Sequence, residues 1–299
     1  MLRRPEAARG YALAMPSSPA PEAAGGPALE PLTPATGSLT AEQLVEQLGL
    51  WERSPAHPGR PRLLLNMVST ADGRATLGGR SGTISGAADR ALFHALRAPV
   101  DGVLVGAGTI RTERYGRLIT DPAVRALRAE RGLPPEPLAC IVSGRLALDG
   151  DTPLLQEPEA RVAILTSSAA SLPPGGASVE YVRPGAGQGQ LDLAAALHEL
   201  AERFAIRTLL CEGGPHLARE LLAAGLLDEL FLSLSPLLAG GEPAGGEALR
   251  ILAGTELDPP ATLELLDVQR SDSYLFLRYG VSAAERVSRE TTDSSSLAS

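Results

Sequence analysis

The sequence has 299 residues, with 27 basic and 35 acidic side chains and a net charge of −8. So acidic a chain lacks the basic surface that grips a nucleic-acid backbone, and no nucleic-acid partner is expected; a local arginine pocket for a small phosphate stays open. No stretch reaches the roughly 18 apolar residues of a membrane span, and two cysteines are too few for a disulfide framework, so no membrane is expected and a cytoplasmic, reducing location is.

In chain order, Met1 to Gly37 is rich in Ala, Pro, Gly and Ser. It buries too little to offset its ordering entropy and is expected to be disordered. Leu39 to Leu50 predicts a short helix: Thr40 can cap it, Gln43 completes a capping box, and Leu44, Val45 and Leu48 share a face. Strands are predicted at Arg62–Met67, Val100–Val105, Pro137–Val142, Ala160–Thr166, Thr208–Cys211 and Asp228–Ser235. Helices are predicted at Gly86–Arg97, Asp121–Arg131, Leu191–Phe204 and Pro215–Ala224, the last ended by Gly225. Thr262–Arg270 and Ser273–Tyr279 predict a closing hairpin, and Val281–Ser299 a flexible polar tail. Alternating strands and helices imply an α/β fold: a central, mostly parallel sheet flanked by helices, with a C-terminal antiparallel hairpin, in one domain over residues 38–280.

In such sheets ligands bind beyond the carboxyl ends of the strands, so the chemistry is sought there. After the first strand comes Asn66-Met67-Val68-Ser69-Thr70-Ala71-Asp72-Gly73-Arg74. Asp72-Gly73 is a turn signal, and Asp72 either bonds its own backbone or faces a pocket; Ser81, in the Gly-rich loop beyond, can reach the same pocket. Val105-Gly106-Ala107-Gly108-Thr109 follows another strand, where glycines let backbone N–H groups approach a pyrophosphate at a helix start. The run Glu212-Gly213-Gly214-Pro215-His216-Leu217 repeats that arrangement, with Pro215 suited to the first helical turn and Glu212 either a cap or a ligand for ring N–H groups. Ser143-Gly144-Arg145 and Thr166-Ser167-Ser168 end two further strands with groups able to hold a 2′-phosphate. The charged run Arg111 to Arg117 is either a solvated face or a contact for a substrate phosphate. His94 and His198 fall in helical patterns as surface or packing residues. The absence of C-x-x-C and H-x-E leaves a zinc deaminase site without ligands.

In order and spacing, Asn66 to Arg74, Ser81 to Ile84, Arg97, Val105 to Thr109, Glu212 to Leu217, and Asp228-Glu229-Leu230 leading to Ser235-Pro236-Leu237-Leu238-Ala239-Gly240 resemble the reductase domain of bacterial riboflavin biosynthesis enzymes, itself similar to dihydrofolate reductase. The resemblance implies a dihydrofolate-reductase-like homodimer that uses NADPH to reduce 5-amino-6-(5-phosphoribosylamino)uracil. It implies substrate contacts at Ser81, Arg97 and Glu212, and cofactor contacts at Thr109, Glu113, Gly214, Pro215, His216 and Leu217. With the residue reading, Asp72 and Glu212 become the expected catalytic pair. Arg117 joins the expected substrate contacts, and Gly106, Gly108, Ser143, Thr166 and Gly213 the expected cofactor contacts. The chain departs from the family at Glu113-Arg114-Tyr115-Gly116-Arg117, where Asp-Asp-Pro is frequent, at Thr83 for a tryptophan, and near Thr120 for an arginine. These departures fall in the substrate half, so a dihydrofolate or other pterin reductase of the same fold, and a non-catalytic NADPH-binding protein, are the competing readings.

Overall fold

The computed structural model describes residues 37–52, 57–185, 190–242 and 248–282. Contacts divide the chain into Met1–Gly37 and Ser38–Ser299, and the sheet with its helices belongs to the second unit. Residues 1–36 of the expected disordered leader and 283–299 of the expected tail lie outside the described residues.

Among the described residues, nine strands form one sheet. In chain order they are β1 (Arg62–Thr70), β2 (Gly102–Gly106), β3 (Leu138–Val142), β4 (Arg161–Leu165), β5 (Ser178–Val182), β6 (Thr208–Cys211), β7 (Glu229–Ser235), β8 (Thr262–Ser271) and β9 (Tyr274–Ser282). The spatial order is β5-β4-β3-β2-β6-β1-β7-β9-β8. The first seven strands in that order run parallel, and β9 and β8 close the sheet antiparallel. This is the expected α/β architecture with its terminal hairpin. Val281 and Ser282, assigned to the tail by composition, pair with Leu263 and Thr262 and belong to β9.

The inner parallel strands β1, β2, β3, β4 and β6 are largely apolar on both faces, as strands covered twice must be. Leu64, Val103, Val105, Ile141, Ile164 and Leu210 point into one core, under α1 (Ala41–Gln47), α2 (Ala87–Arg97) and α3 (Ala107–Glu113). Their neighbours Leu63, Leu65, Leu104, Cys140, Leu165 and Cys211 point into the other, under α6 (Leu193–Phe204) and α7 (Pro215–Ala223). Both cysteines are buried, and burial pushes the Cys211 thiol up to about 12, so they are inert packing residues at neutral pH.

Local chemistry sets the helix ends. Thr40 and Gln43 form the expected capping box on α1. On α4 (Pro122–Glu130), Asp121 caps the start and Arg128 reaches a fully buried position. Arg128 donates to the carbonyls of Ala98, Val100 and Pro134, so one guanidinium satisfies carbonyls at the end of α2. Burial lowers its pKa to about 10, which leaves it charged at neutral pH. Two elements go beyond the sequence expectation: α5 (Pro153–Gln156), a single turn, and the outer strand β5. No helix among the described residues is long and apolar enough to cross a membrane.

Candidate active site

A cleft of about 390 Å³ opens at the carboxyl edge of β1 and β6, between the start of α7, the cleft-facing side of α2 and the segment Glu113 to Arg117. Asn66, Met67 and Val68 of β1 line it, with Ser81, Gly82 and Ser85 of the following loop. Asp89, Arg90, Phe93, His94 and Arg97 come from α2, and Thr109, Glu212, Gly214 and Pro215 from the two glycine-rich turns.

Arg97 and Glu212 form its floor. Their side chains are 7% and 1% exposed, and Arg97 Nε and Nη2 donate to the two carboxylate oxygens at 2.6 and 2.7 Å. Arg97 Nη1 donates to the Leu118 carbonyl, and the guanidinium lies 4.3 Å from the Phe93 ring centroid. Tyr115 donates its hydroxyl to Glu212 Oε2 at 2.8 Å. Burial, reinforced by the Glu212 charge, holds the Tyr115 phenol well above its ordinary pKa, so it keeps its proton. Burial opposes the charge on Arg97, but Glu212 outweighs that effect and raises its pKa. His94 beside them is shifted down by burial and by the Arg97 charge, which makes it a neutral imidazole at pH 7.

Two other expected site residues meet on the cleft wall. Ser81 donates both its backbone N–H and its hydroxyl to Glu113 Oε1, each at 3.0 Å. The two glycine-rich turns also come together. Gly106 N–H donates to the Gly213 carbonyl at 2.9 Å, and a Cβ on Gly214 would stand 2.7 Å from Thr109 Oγ1. Gly214 is the N-cap of α7, and among the described residues no side chain caps that helix, so its first-turn N–H groups are open, as at helix starts that bind anions. The Thr109 hydroxyl packs so closely on the Gly214 backbone that a Cβ there would collide with it, and this contact sits beside the open N–H groups of the α7 start.

The other expected site residues are held by neighbours or have side chains off the cleft wall. Asp72 is turned away from the cleft: it accepts from the Thr70 hydroxyl and from the N–H groups of Ala239 and Gly240. Those bonds, the Thr70 hydroxyl first, lower its pKa to about 2 and make it an anchor between the loops after β1 and β7. Arg117 borders the cleft, but its guanidinium is held by Glu157 at 2.6 Å and Glu159 at 2.9 Å, with Glu136 at 3.4 Å, so its charge is already matched. Gly106 is the N-cap of α3 and its N–H donates to the Gly213 carbonyl, while Gly108 sits in the first turn of α3 with open space beside it. The side chains of His216, exposed at the α7 start, and Leu217, in the core, lie off the cleft wall, while their N–H groups belong to the uncapped first turn. Ser143 and Thr166 end β3 and β4 outside the cleft, where Thr166 donates to the Gly144 carbonyl. Sequence reasoning missed Asp89, Phe93, His94 and Tyr115. Asp89, Phe93 and Arg97 recur every fourth residue, a polar-aromatic stripe along one helix face that periodicity could have exposed; Tyr115 carries no such signal.

The RibD C-terminal domain model matches residues 61–274. The chain is 28% identical over 215 residues to the 2,5-diamino-6-ribosylamino-4(3H)-pyrimidinone 5′-phosphate reductase of Methanothermobacter thermautotrophicus, covering 71% of this chain and 93% of that protein. It is 30% identical over 233 residues to the riboflavin biosynthesis protein RibD of Mycobacterium tuberculosis, covering 77% of this chain and 58% of that one. Among solved structures, a pyrimidine reductase-like protein from Corynebacterium diphtheriae shares the fold, with a TM-score of 0.64 and 21% identity over 82% of this chain and all of that one. With a matched span that runs from the start of β1 into β9 and contains the whole cleft, this chain belongs to the RibD C-terminal domain family.

Proposed function

We propose that this chain is an NADPH-dependent reductase that converts the ribosyl chain of a 6-(ribosylamino)pyrimidine 5′-phosphate to its ribityl form. The observation that carries this reading is the cleft itself, which joins an uncapped helix start flanked by glycine to a buried polar floor. The names of the relatives point the same way: reductases of a pyrimidine phosphate, and riboflavin biosynthesis proteins.

In this reading the first turn of α7 and Thr109 would hold the dinucleotide phosphates, and Arg145 beyond β3 would hold the 2′-phosphate that separates NADPH from NADH. A bound nicotinamide would supply a hydride to the ribosyl C1′ attached to nitrogen, as the C1′–O4′ ring bond opens and a solvent proton goes to the freed O4′ hydroxyl, leaving NADP+ and the ribityl chain. The protein's own work is positioning. Arg97 and Glu212 fix each other and form a rigid floor, and Tyr115 locks the carboxylate from above. The 5′-phosphate goes to Arg114, which lines the cleft and makes no side-chain hydrogen bond or ion pair among the described residues.

The test is loss of NADPH absorbance with the phosphoribosylamino-pyrimidine and with dihydrofolate in parallel. Turnover of the pyrimidine alone is expected, and Arg114→Gln should raise its KM with little change in NADPH affinity. Turnover of dihydrofolate alone would move the chain to a pterin substrate, and NADPH binding without either turnover would make it a non-catalytic binder.

The working assembly is proposed to be a homodimer through the terminal hairpin. Leu263, Leu265 and Leu275 are 41, 50 and 39% exposed on one face of the paired strands β8 and β9, an apolar face suited to a second copy. Sedimentation of the wild type as a dimer, and of Leu265→Lys as a monomer, is the expected result.

A further inference from the structure

Asp89 is the carboxylate in the cleft that the floor does not use. It is 6% exposed and lies in the first turn of α2. One of its oxygens accepts from the Ser85 hydroxyl, and no cation pairs with it among the described residues. Ser85 is itself fixed, because Arg90 Nη1 donates to its carbonyl at 2.7 Å. The other acidic groups on the cleft are occupied: Glu212 by Arg97 and Tyr115, and Glu113 by the Ser81 N–H and hydroxyl. A carboxylate at the positive start of a helix favours that helix. An exposed one would do so without the cost of burial, and a buried anion with a single neutral donor is left wanting further donors.

Its place along the helix indicates which donors. Eight residues separate Asp89 from Arg97, about 12 Å along the axis, and Arg97 is joined through Glu212 to the strand end that leads into Gly214. With the reacting carbon at the Gly214 end, as the proposed function requires, the ring edge opposite the ribosylamino group, positions 2 and 3, is the part that extends toward Asp89. An ionised carboxylate only accepts hydrogen bonds. A 2-amino-4-oxo ring presents two adjacent donors on that edge, the ring N–H and the amino group, which match a carboxylate in parallel. A 2,4-dioxo ring presents one donor between two carbonyl oxygens, and those oxygens repel it.

We propose that Asp89 is the specificity-determining residue that reads position 2 of the pyrimidine, and that it selects a 2-amino-4-oxo ring over its deaminated 2,4-dioxo counterpart. This rests on the reductase reading above. The step that supplies the substrate would then deliver an undeaminated ring, and the hydrolytic loss of the 2-amino group would follow this reduction.

The experiment compares kcat/KM for the two phosphorylated substrates, amino and dioxo, in the wild type and in Asp89→Asn. Asparagine keeps an acceptor for Ser85 and adds a donor that suits a carbonyl. The wild type is expected to favour the amino substrate by about tenfold or more. Asp89→Asn should lose most of that ratio through the amino substrate, with NADPH affinity and thermal midpoint near wild type. A helix-stabilising role alone would move the midpoint and leave the ratio unchanged, and that result overturns the proposal, as does a wild type that prefers the dioxo ring. Calorimetric binding of the free rings, 2,6-diaminopyrimidin-4-one against 6-aminouracil, to the wild type is the second measurement. It reads the same preference without turnover, so an inactive protein that still prefers the diamino ring would sink the reductase reading and keep Asp89, whereas equal binding of both rings would sink Asp89 alone. Should Asp89→Asn fail to fold, the wild-type comparison of rings and substrates decides the point.

Discussion

At the amino edge of the sheet, Glu229 sits between Arg62 and Arg278, and Asp228 between Arg60 and His57. At the carboxyl edge, Glu212 sits between Arg97 and Tyr115. The chemistry is alike, a largely buried carboxylate closed by an arginine, but the partners differ. At the amino edge Arg62, Glu229 and Arg278 begin or belong to neighbouring strands β1, β7 and β9, so the clamp fixes how those strands start. At the carboxyl edge the clamp leaves the sheet: it ties β6 to α2 and to the loop after α3, and its exposed side is the floor of a cleft. An ion pair within the sheet holds register; the same pair drawn between layers shapes a surface for a ligand.

That contrast can be broken by removing one anion from each edge. The largest effect is expected from Glu212→Ala, which strands a nearly inaccessible guanidinium and should cost about 3–5 kcal/mol of unfolding free energy together with turnover. Next comes the neighbouring turn: Gly214→Val drives a branched side chain into Thr109 and should weaken NADPH binding about a hundredfold, about 2.7 kcal/mol, in a protein that still folds. Unchanged affinity there would remove the glycine turn from the cofactor site. Glu229→Ala should cost a smaller amount, about 2 kcal/mol, because its arginine partners are 22 and 17% exposed and water relieves their charge. Its turnover per folded molecule should match the wild type; a fall in kcat would show that the two edges are coupled. Urea unfolding and NADPH oxidation measured on the same samples separate these outcomes.

The smallest effect concerns pH. Asp72 has its pKa lowered in the folded protein from 3.8 to about 2 by the Thr70 hydroxyl and the Gly240 and Ala239 N–H groups. A lowered folded-state value means the stabilisation is complete above the unfolded value and is lost as pH falls from about 4 toward 2. The gap in thermal midpoint between wild type and Asp72→Asn should therefore be widest near neutral pH and close across that acidic window. A constant gap would mean the loop does not depend on the Asp72 charge.

The sequence carried the fold better than the site, for physical reasons that particular residues illustrate. Leu63 to Leu65 and Leu209 to Cys211 are uninterrupted apolar runs, and that run is itself the signature of a parallel strand covered on both faces. β5 escaped because Ser178-Val179-Glu180-Tyr181-Val182 is a five-residue alternation behind a Pro/Gly-rich approach, half exposed at the sheet edge. In the site, Arg97 and Glu212 were each legible by position, but they stand 115 residues apart and no local pattern says they neutralise one another. Arg117 misled for the same reason, since its charge is matched by Glu136, Glu157 and Glu159 across loops whose convergence is a tertiary fact. Asp72 was legible both as a turn residue and as a ligand, and the backbone N–H groups of a distant loop decided for the turn.

The strand order has a further consequence in time. β1 lies between β6 and β7, with Arg62 opposite Thr208 and Asn66 opposite Phe231. During synthesis the first strand therefore leaves the ribosome long before either neighbour exists, and its bare leucines must wait, unpaired and sticky, while the intervening chain is made. Such distant closures make folding slow and leave the nascent chain open to aggregation. The cleft, which needs β1 and β6 side by side, is among the last features to appear, so a half-made chain has helices and the β2-β3-β4 ladder but nowhere to bind.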